Sequence, residues 1–120
     1  MTNQLQGEIL YEGWSGTASG DWAYTPWMPV RGDYARFAVE VTEVNGVTLT
    51  WEVQTRTLDD PTVETTITAS TGTSSKGTTT VMNTTKAKQL VRYRFKTGST
   101  NSTSNYVVFR ALSPSWMGDR

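Results

Sequence analysis

The amino-acid sequence predicts an all-β protein, an antiparallel β-sandwich of jelly-roll-like or immunoglobulin-like type with extended N- and C-terminal arms. Apolar and polar residues alternate with a period of two along most of the chain, turn-forming residues break that alternation at short intervals, and no window carries helical periodicity. Threonine supplies much of the polar set, and its β-branched side chain suits a pleated surface. These patterns leave the strand order open, with a small barrel as the other architecture they allow. The absence of a recurring period sets aside propellers and solenoids.

Glu8 to Tyr11 and Thr25 to Val30 read as short strands, and Pro26 and Pro29 confine the second to a sheet edge. From Tyr34 to Val44, Ala35, Phe37, Val39 and Val41 oppose Arg36, Ala38, Glu40 and Thr42. Val47, Leu49, Trp51 and Val53 then oppose Thr48, Thr50, Glu52 and Gln54, and the intervening Asn45-Gly46 predicts a hairpin. A two-residue loop would pair Glu40 with Trp51 and mix the wet and buried sets. A bulged loop, Val44-Asn45-Gly46 with Gly46 left-handed, pairs Val41 with Leu49, Val39 with Trp51 and Phe37 with Val53, and is the expected one.

Leu58-Asp59-Asp60-Pro61-Thr62 reads as a turn, after which Val63, Thr65, Ile67 and Ala69 resume the alternation. A hairpin here places Val53 opposite Ile67 and Arg56 opposite Glu64 as an exposed ion pair. Ser70 to Gly77 is a polar loop. Strands follow around Thr79 to Met82 and Leu90 to Lys96, then a polar loop from Thr97 to Ser104 and a strand from Asn105 to Leu112. The chain thus forms one domain over 1–120: an irregular N-terminal arm with edge strands over 1–33, a core sandwich over 34–112 and a C-terminal tail over 113–120.

Composition narrows the chemistry. Among 120 residues there is no cysteine and no histidine, which removes disulfides, thiolate chemistry, the usual general base and the commonest zinc ligand. Eleven basic and eleven acidic residues cancel, so no overall field attracts nucleic acid or an acidic membrane. The N-terminal residues lack the pattern of a secretion signal, and no stretch is long and apolar enough for a membrane span; cytoplasmic synthesis is the expectation. Asp59 and Asp60 share a turn, and Glu40, Glu52 and Glu64 fall on the wet side of their strands, so neither a catalytic carboxylate pair nor a calcium-binding spacing emerges. The expectation is a protein without enzymatic activity, cofactor or metal.

Arg31-Gly32-Asp33 spells an integrin-recognition tripeptide but reads as a turn into the next strand, with glycine supplying conformational freedom. Asn83-Thr84-Thr85 and Asn101-Ser102-Thr103 match a glycosylation pattern without a secretory context. The five tryptophans matter more. Trp51 belongs to a buried face, whereas Trp14, Trp22, Trp27 and Trp116 lie among Gly, Ser, Pro and Asp, where aromatics pin irregular arms or form contact surface. Arg92, Arg94 and Lys96 share one wet face, and with Arg110 they make a basic group suited to orienting an acidic partner. The candidate partner-binding residues are therefore Trp14, Trp22, Trp27 and Trp116 as anchors, with Arg92, Arg94 and Arg110 as orienting charges.

Three segments, Glu8-Ile9-Leu10-Tyr11-Glu12-Gly13, Tyr24-Thr25-Pro26-Trp27-Met28-Pro29-Val30-Arg31-Gly32-Asp33 and Val107-Val108-Phe109-Arg110-Ala111-Leu112-Ser113-Pro114-Ser115-Trp116, resemble small β-sandwich decoration (cement) proteins of tailed-bacteriophage capsids. The resemblance is one of style over most of the chain and rests on no diagnostic motif. It implies a non-enzymatic virion protein on the outer capsid surface, assembled in host cytoplasm. Its partners would be the major capsid protein and copies of itself, often as trimers, with no direct binding to nucleic acid or membrane. A carbohydrate-binding β-sandwich module and a phage tail or head-tail structural protein are the alternatives.

Overall fold

The computed structural model describes residues 9–15, 22–69, 74–99 and 106–117, with the backbone alone for 9–15 and 98–99. Within them are ten strands: β1 (Ile9–Ser15), β2 (Ala23–Tyr24), β3 (Met28–Pro29), β4 (Ala35–Asn45), β5 (Val47–Arg56), β6 (Thr65–Ala69), β7 (Gly77–Met82), β8 (Leu90–Ser99), β9 (Tyr106–Leu112) and β10 (Ser115–Trp116). They form two antiparallel sheets packed together with no helix among the described residues, a β-sandwich as the alternation predicts. In the first sheet β9 lies between β1 and β4, and β7 and β10 also pair with β4. In the second, β2 and β3 pair with β8, followed by β5 and β6.

The core is built from the inward sets that the sequence marks. Ala35, Phe37, Val39 and Val41 from β4 and Val107, Phe109 and Ala111 from β9 face Leu49, Trp51 and Val53 from β5 and Val91, Tyr93 and Phe95 from β8. Phe95 meets Phe109 at 4.7 Å, and Tyr93 stands among Phe37, Trp51 and Phe95 at 5.6–5.9 Å between ring centres. Such packed aromatics each remove some 150–250 Å² from water and dominate the stability of a small core.

The expected β4–β5 hairpin does not form. Gly46 has a positive φ of 78°, as expected, but it carries the chain from one sheet to the other, so that β4 pairs with β9 and β5 with β8. Val41 and Leu49 therefore belong to opposing layers. Alternation fixes which face of a strand is buried, and both a hairpin and a sheet-to-sheet arch satisfy it. The β5–β6 hairpin does form, with Gln54 opposite Thr66 and Thr55 opposite Thr65. A bulge at Ile67 then moves Val53 opposite Thr68, and Glu64 reaches Arg92 in place of Arg56.

Four elements also differ from expectation. β8 runs through Thr97, which is buried, so the polar loop starts later than expected. Ser115–Trp116, expected in a tail, returns to the first sheet as β10. Trp116 packs edge-on against Phe37 at 6.0 Å. The first strand extends to Ser15, and the Thr25–Val30 strand is split into β2 and β3. Much of the loop from Ser70 to Gly77, and the segment 100–105 with Asn101-Ser102-Thr103, lie outside the described residues.

Two polar side chains hold segments that ladders cannot. β9 leaves β4 after the Ala111–Val39 pair, and β10 resumes at Ser115–Arg36, with Ser113-Pro114 between them. Across the core, the Tyr93 hydroxyl accepts from the Ala38 N–H at 3.1 Å and donates to the Leu112 carbonyl at 2.8 Å, closing that gap in the ladder. Asn83 is buried, accepts from the Ala35 N–H at 2.9 Å and donates to the carbonyls of Asp33 (2.9 Å) and Thr85 (2.7 Å). Its amide is thus committed to fixing the start of β4.

Candidate binding face

The outer face of the second sheet assembles four of the predicted residues. On β8, Phe95 and Tyr93 point into the core, so Lys96, Arg94 and Arg92 point outward, beside Thr50, Glu52 and Gln54 of β5. Along the free edge of β8 runs the arm that carries Trp22, Tyr24 and Trp27. Tyr24 pairs with Arg94, and Met28 pairs with Val91. The arm takes four residue steps where β8 takes three, which makes a bulge at Thr25-Pro26-Trp27.

That bulge decides where Trp27 goes. Uninterrupted alternation would put Tyr24 outward and Trp27 inward, but one extra residue reverses the phase, and Trp27 emerges on the outer face. Pro26 has no N–H to give a ladder. Thr25 compensates: its N–H donates to the Tyr93 carbonyl at 3.1 Å and its buried hydroxyl accepts from the Tyr93 N–H at 3.1 Å.

Rings and cations then alternate. The Arg92 guanidinium lies 4.0 Å from the Tyr24 ring centre and 4.3 Å from that of Trp27. Arg94 lies 3.9 Å from the Trp22 ring centre, and the Lys96 ammonium approaches the same ring at 4.7 Å. Arg56 closes the far end at 5.0 Å from Trp27. Each contact contributes about 0.5–1 kcal/mol at an exposed position, and more when desolvated.

The central cations have their directional bonds occupied. Arg92 donates through Nε to Gln54 Oε1 at 3.0 Å and through Nη2 to Glu64 Oε2 at 2.8 Å. Arg94 donates through Nε to Glu52 Oε1 at 2.8 Å and contacts the same oxygen through Nη2. Arg56 donates to the carbonyls of Thr57 (3.0 Å) and Leu58 (3.4 Å), and its buried Nε has no hydrogen-bond partner among the described residues. With the arginines locked, the rings are held in fixed positions. Tyr24 remains 44% exposed.

The other candidate residues lie elsewhere. Arg110 is on β9 of the first sheet, where its Nε donates to Glu40 at 2.7 Å, so it does not join Arg92 and Arg94. Trp116 is half-buried against the core through Phe37. Trp14 sits on β1 opposite Val108, and its side chain lies outside the described residues. In the Arg31-Gly32-Asp33 bend, a Cβ on Gly32 would come within 2.7 Å of the Met117 carbonyl oxygen; close approach, and no positive φ, requires the glycine. Asn83 is buried and triply bonded, which leaves no place for a glycan. Asp60 accepts from the N–H and hydroxyl of Thr62, a turn role. Among the described residues, no group of three or more acidic side chains could hold a metal ion.

Sequence reasoning did not single out Tyr24 or Arg56. Tyr24 stands two residues from Trp22 on a short strand, which suffices to put both on one face. The join to Trp27 and Arg56 depends on the bulge and on strand order, neither of which the residue pattern discloses. Fold and site together define a β-sandwich with a rigid aromatic and cationic face on one sheet. No protein-family model and no curated protein matches the chain.

Proposed function

We propose that this chain is a non-enzymatic structural protein that decorates the outer surface of a tailed-phage capsid and braces it by bridging capsid subunits, its partners being the major capsid protein and further copies of itself. The observation that carries the reading is the interleaved row of Trp22, Tyr24 and Trp27 with Arg92, Arg94 and Lys96 on one open sheet face. Tryptophan, tyrosine and arginine are the residues in which interface energy concentrates, and side chains already held by their neighbours lose little freedom when a partner arrives. The virion assignment is supported by the resemblance of the segments at 8–13, 24–33 and 107–116 to capsid decoration proteins, and the second of these supplies Tyr24 and Trp27. A decoration protein needs no reacting group. It works by multivalency, each copy tying several neighbours together through modest contacts.

The test is to band particles from the source lysate on a density gradient and count this chain against the major shell protein by peptide mass spectrometry. Hundreds of copies per full head are expected. A handful of copies would reassign the chain to a tail or connector, and absence from particles would overturn the virion reading and bring saturable glycan binding forward as the next assay.

A further inference from the structure

The row of rings and cations is electrically uneven, and that unevenness points to a partner chemistry. Arg92 and Arg94, in the middle, are each matched by a carboxylate, Glu64 and Glu52. Lys96 at one end and Arg56 at the other have no carboxylate partner among the described residues; Lys96 meets the Trp22 ring, and Arg56 meets the Trp27 ring and the backbone carbonyls of Thr57 and Leu58. Among the described residues the face is therefore neutral at its centre and carries an unmatched cation at each end. Lys96 pairs across the strands with Thr50, and Arg56 lies six residues farther along β5, a separation of about 20 Å.

We infer that this face receives an acidic protein segment, extended or presented on a flat surface, with carboxylates about 20 Å apart and uncharged or apolar residues between them. The end cations would orient it and the exposed Tyr24 ring would contact its middle. A second copy of this chain fits less well, because pairing the face with itself brings positive ends together. A single-stranded nucleic acid also fits less well: its phosphates repeat along the whole length and would meet Glu52 and Glu64, while the guanidinium groups that should bind them are already engaged. The inference rests on the proposed binding role but not on the virion, so particle counting and the following titration fail independently.

The probe is a capped heptapeptide, Glu-Thr-Val-Thr-Val-Thr-Glu, whose terminal glutamates are spaced to reach both ends, titrated into isotopically labelled full-length protein. Indole N–H signals of Trp22 and Trp27 should shift saturably, with an apparent Kd of about 1 mM or tighter at low salt. The Trp51 signal should stay still. The same peptide with lysines at both ends should shift nothing, binding should weaken about tenfold on raising salt to near 0.3 M, and Lys96→Glu, which touches no core residue, should abolish the preference for the acidic peptide while the melting temperature holds. Equal shifts with both peptides, or no shift with the acidic one, would overturn the inference. Tighter binding of an oligothymidylate of similar length would overturn it in favour of nucleic acid, and concentration-dependent dimerisation through these indoles would overturn it in favour of self-association.

Discussion

The hydroxyl of Tyr93 stands where two constraints meet. Ser113-Pro114 interrupts the β4 ladder, and the partly buried Ala38 N–H and Leu112 carbonyl find their partner in a hydroxyl from the opposite sheet. Tyr93→Phe keeps the ring contacts and leaves both backbone groups unpaired, which should cost about 2–4 kcal/mol in urea unfolding. The same group sets an alkaline limit. Burial raises its pKa above the ordinary value of 10.0, so the unfolded chain releases this proton near pH 10 while the folded chain keeps it. The contribution of the neutral phenol is complete below pH 10 and is lost above it, by up to about 1.4 kcal/mol per pH unit until the folded form also ionises. Unfolding free energies of the wild type should therefore fall more steeply between pH 10 and about 11.5 than those of Tyr93→Phe. Parallel slopes would mean that the phenol is not protected.

At the scale of the element, alternation made the strands legible and left their partners hidden. Phe37, Val39 and Val41, like Leu49, Trp51 and Val53, are buried whether β4 and β5 lie side by side or face each other, and Asn45-Gly46 suits both connections. What distinguishes them is the availability of β9 and β8 as better neighbours, a long-range fact that no local pattern contains. Gly46 was legible because its requirement is local: a side chain at φ 78° collides with its own backbone. Gly46→Ala should destabilise the domain by about 1–2 kcal/mol with the fold retained, as read from the urea midpoint at unchanged m-value. A neutral result would show that the arch relaxes. The candidate site was legible in the same partial way. Trp22, Arg92 and Arg94 follow from composition and spacing, but Trp27 reaches them only through an extra residue beside Pro26, and Arg110 parts from them only because β9 joins the other sheet.

For the whole molecule, zero net charge conceals two unlike outer faces. On the first sheet Arg110 is matched by Glu40, and Trp116 turns inward to Phe37. On the second, aromatic rings stand on a bed of arginines whose charge, among the described residues, is balanced by carboxylates at the centre. Among the described side chains, the first sheet turns its aromatic toward the core, while the second presents aromatics on its outer face. That division predicts opposite behaviour for two substitutions of similar size. Trp116→Ala removes a half-buried ring packed against the core and should cost about 2 kcal/mol or more of stability, since truncating it loses transfer free energy and its contact with Phe37. Tyr24→Ala removes a ring that is nearly half exposed and one of two stacked on Arg92, so its stability cost should stay near 1 kcal/mol. Binding should sort the other way. If Tyr24 lies at the centre of the contact, its loss should weaken association by about 2 kcal/mol or more, roughly thirtyfold, whereas Trp116→Ala at a temperature where it remains folded should bind as the wild type does. Measuring both variants by calorimetric melting and, on the proposed capsid role, by binding to purified undecorated capsids separates the roles; a Tyr24→Ala protein that melts early and binds normally would make the exposed row a clamp for the arm and nothing more.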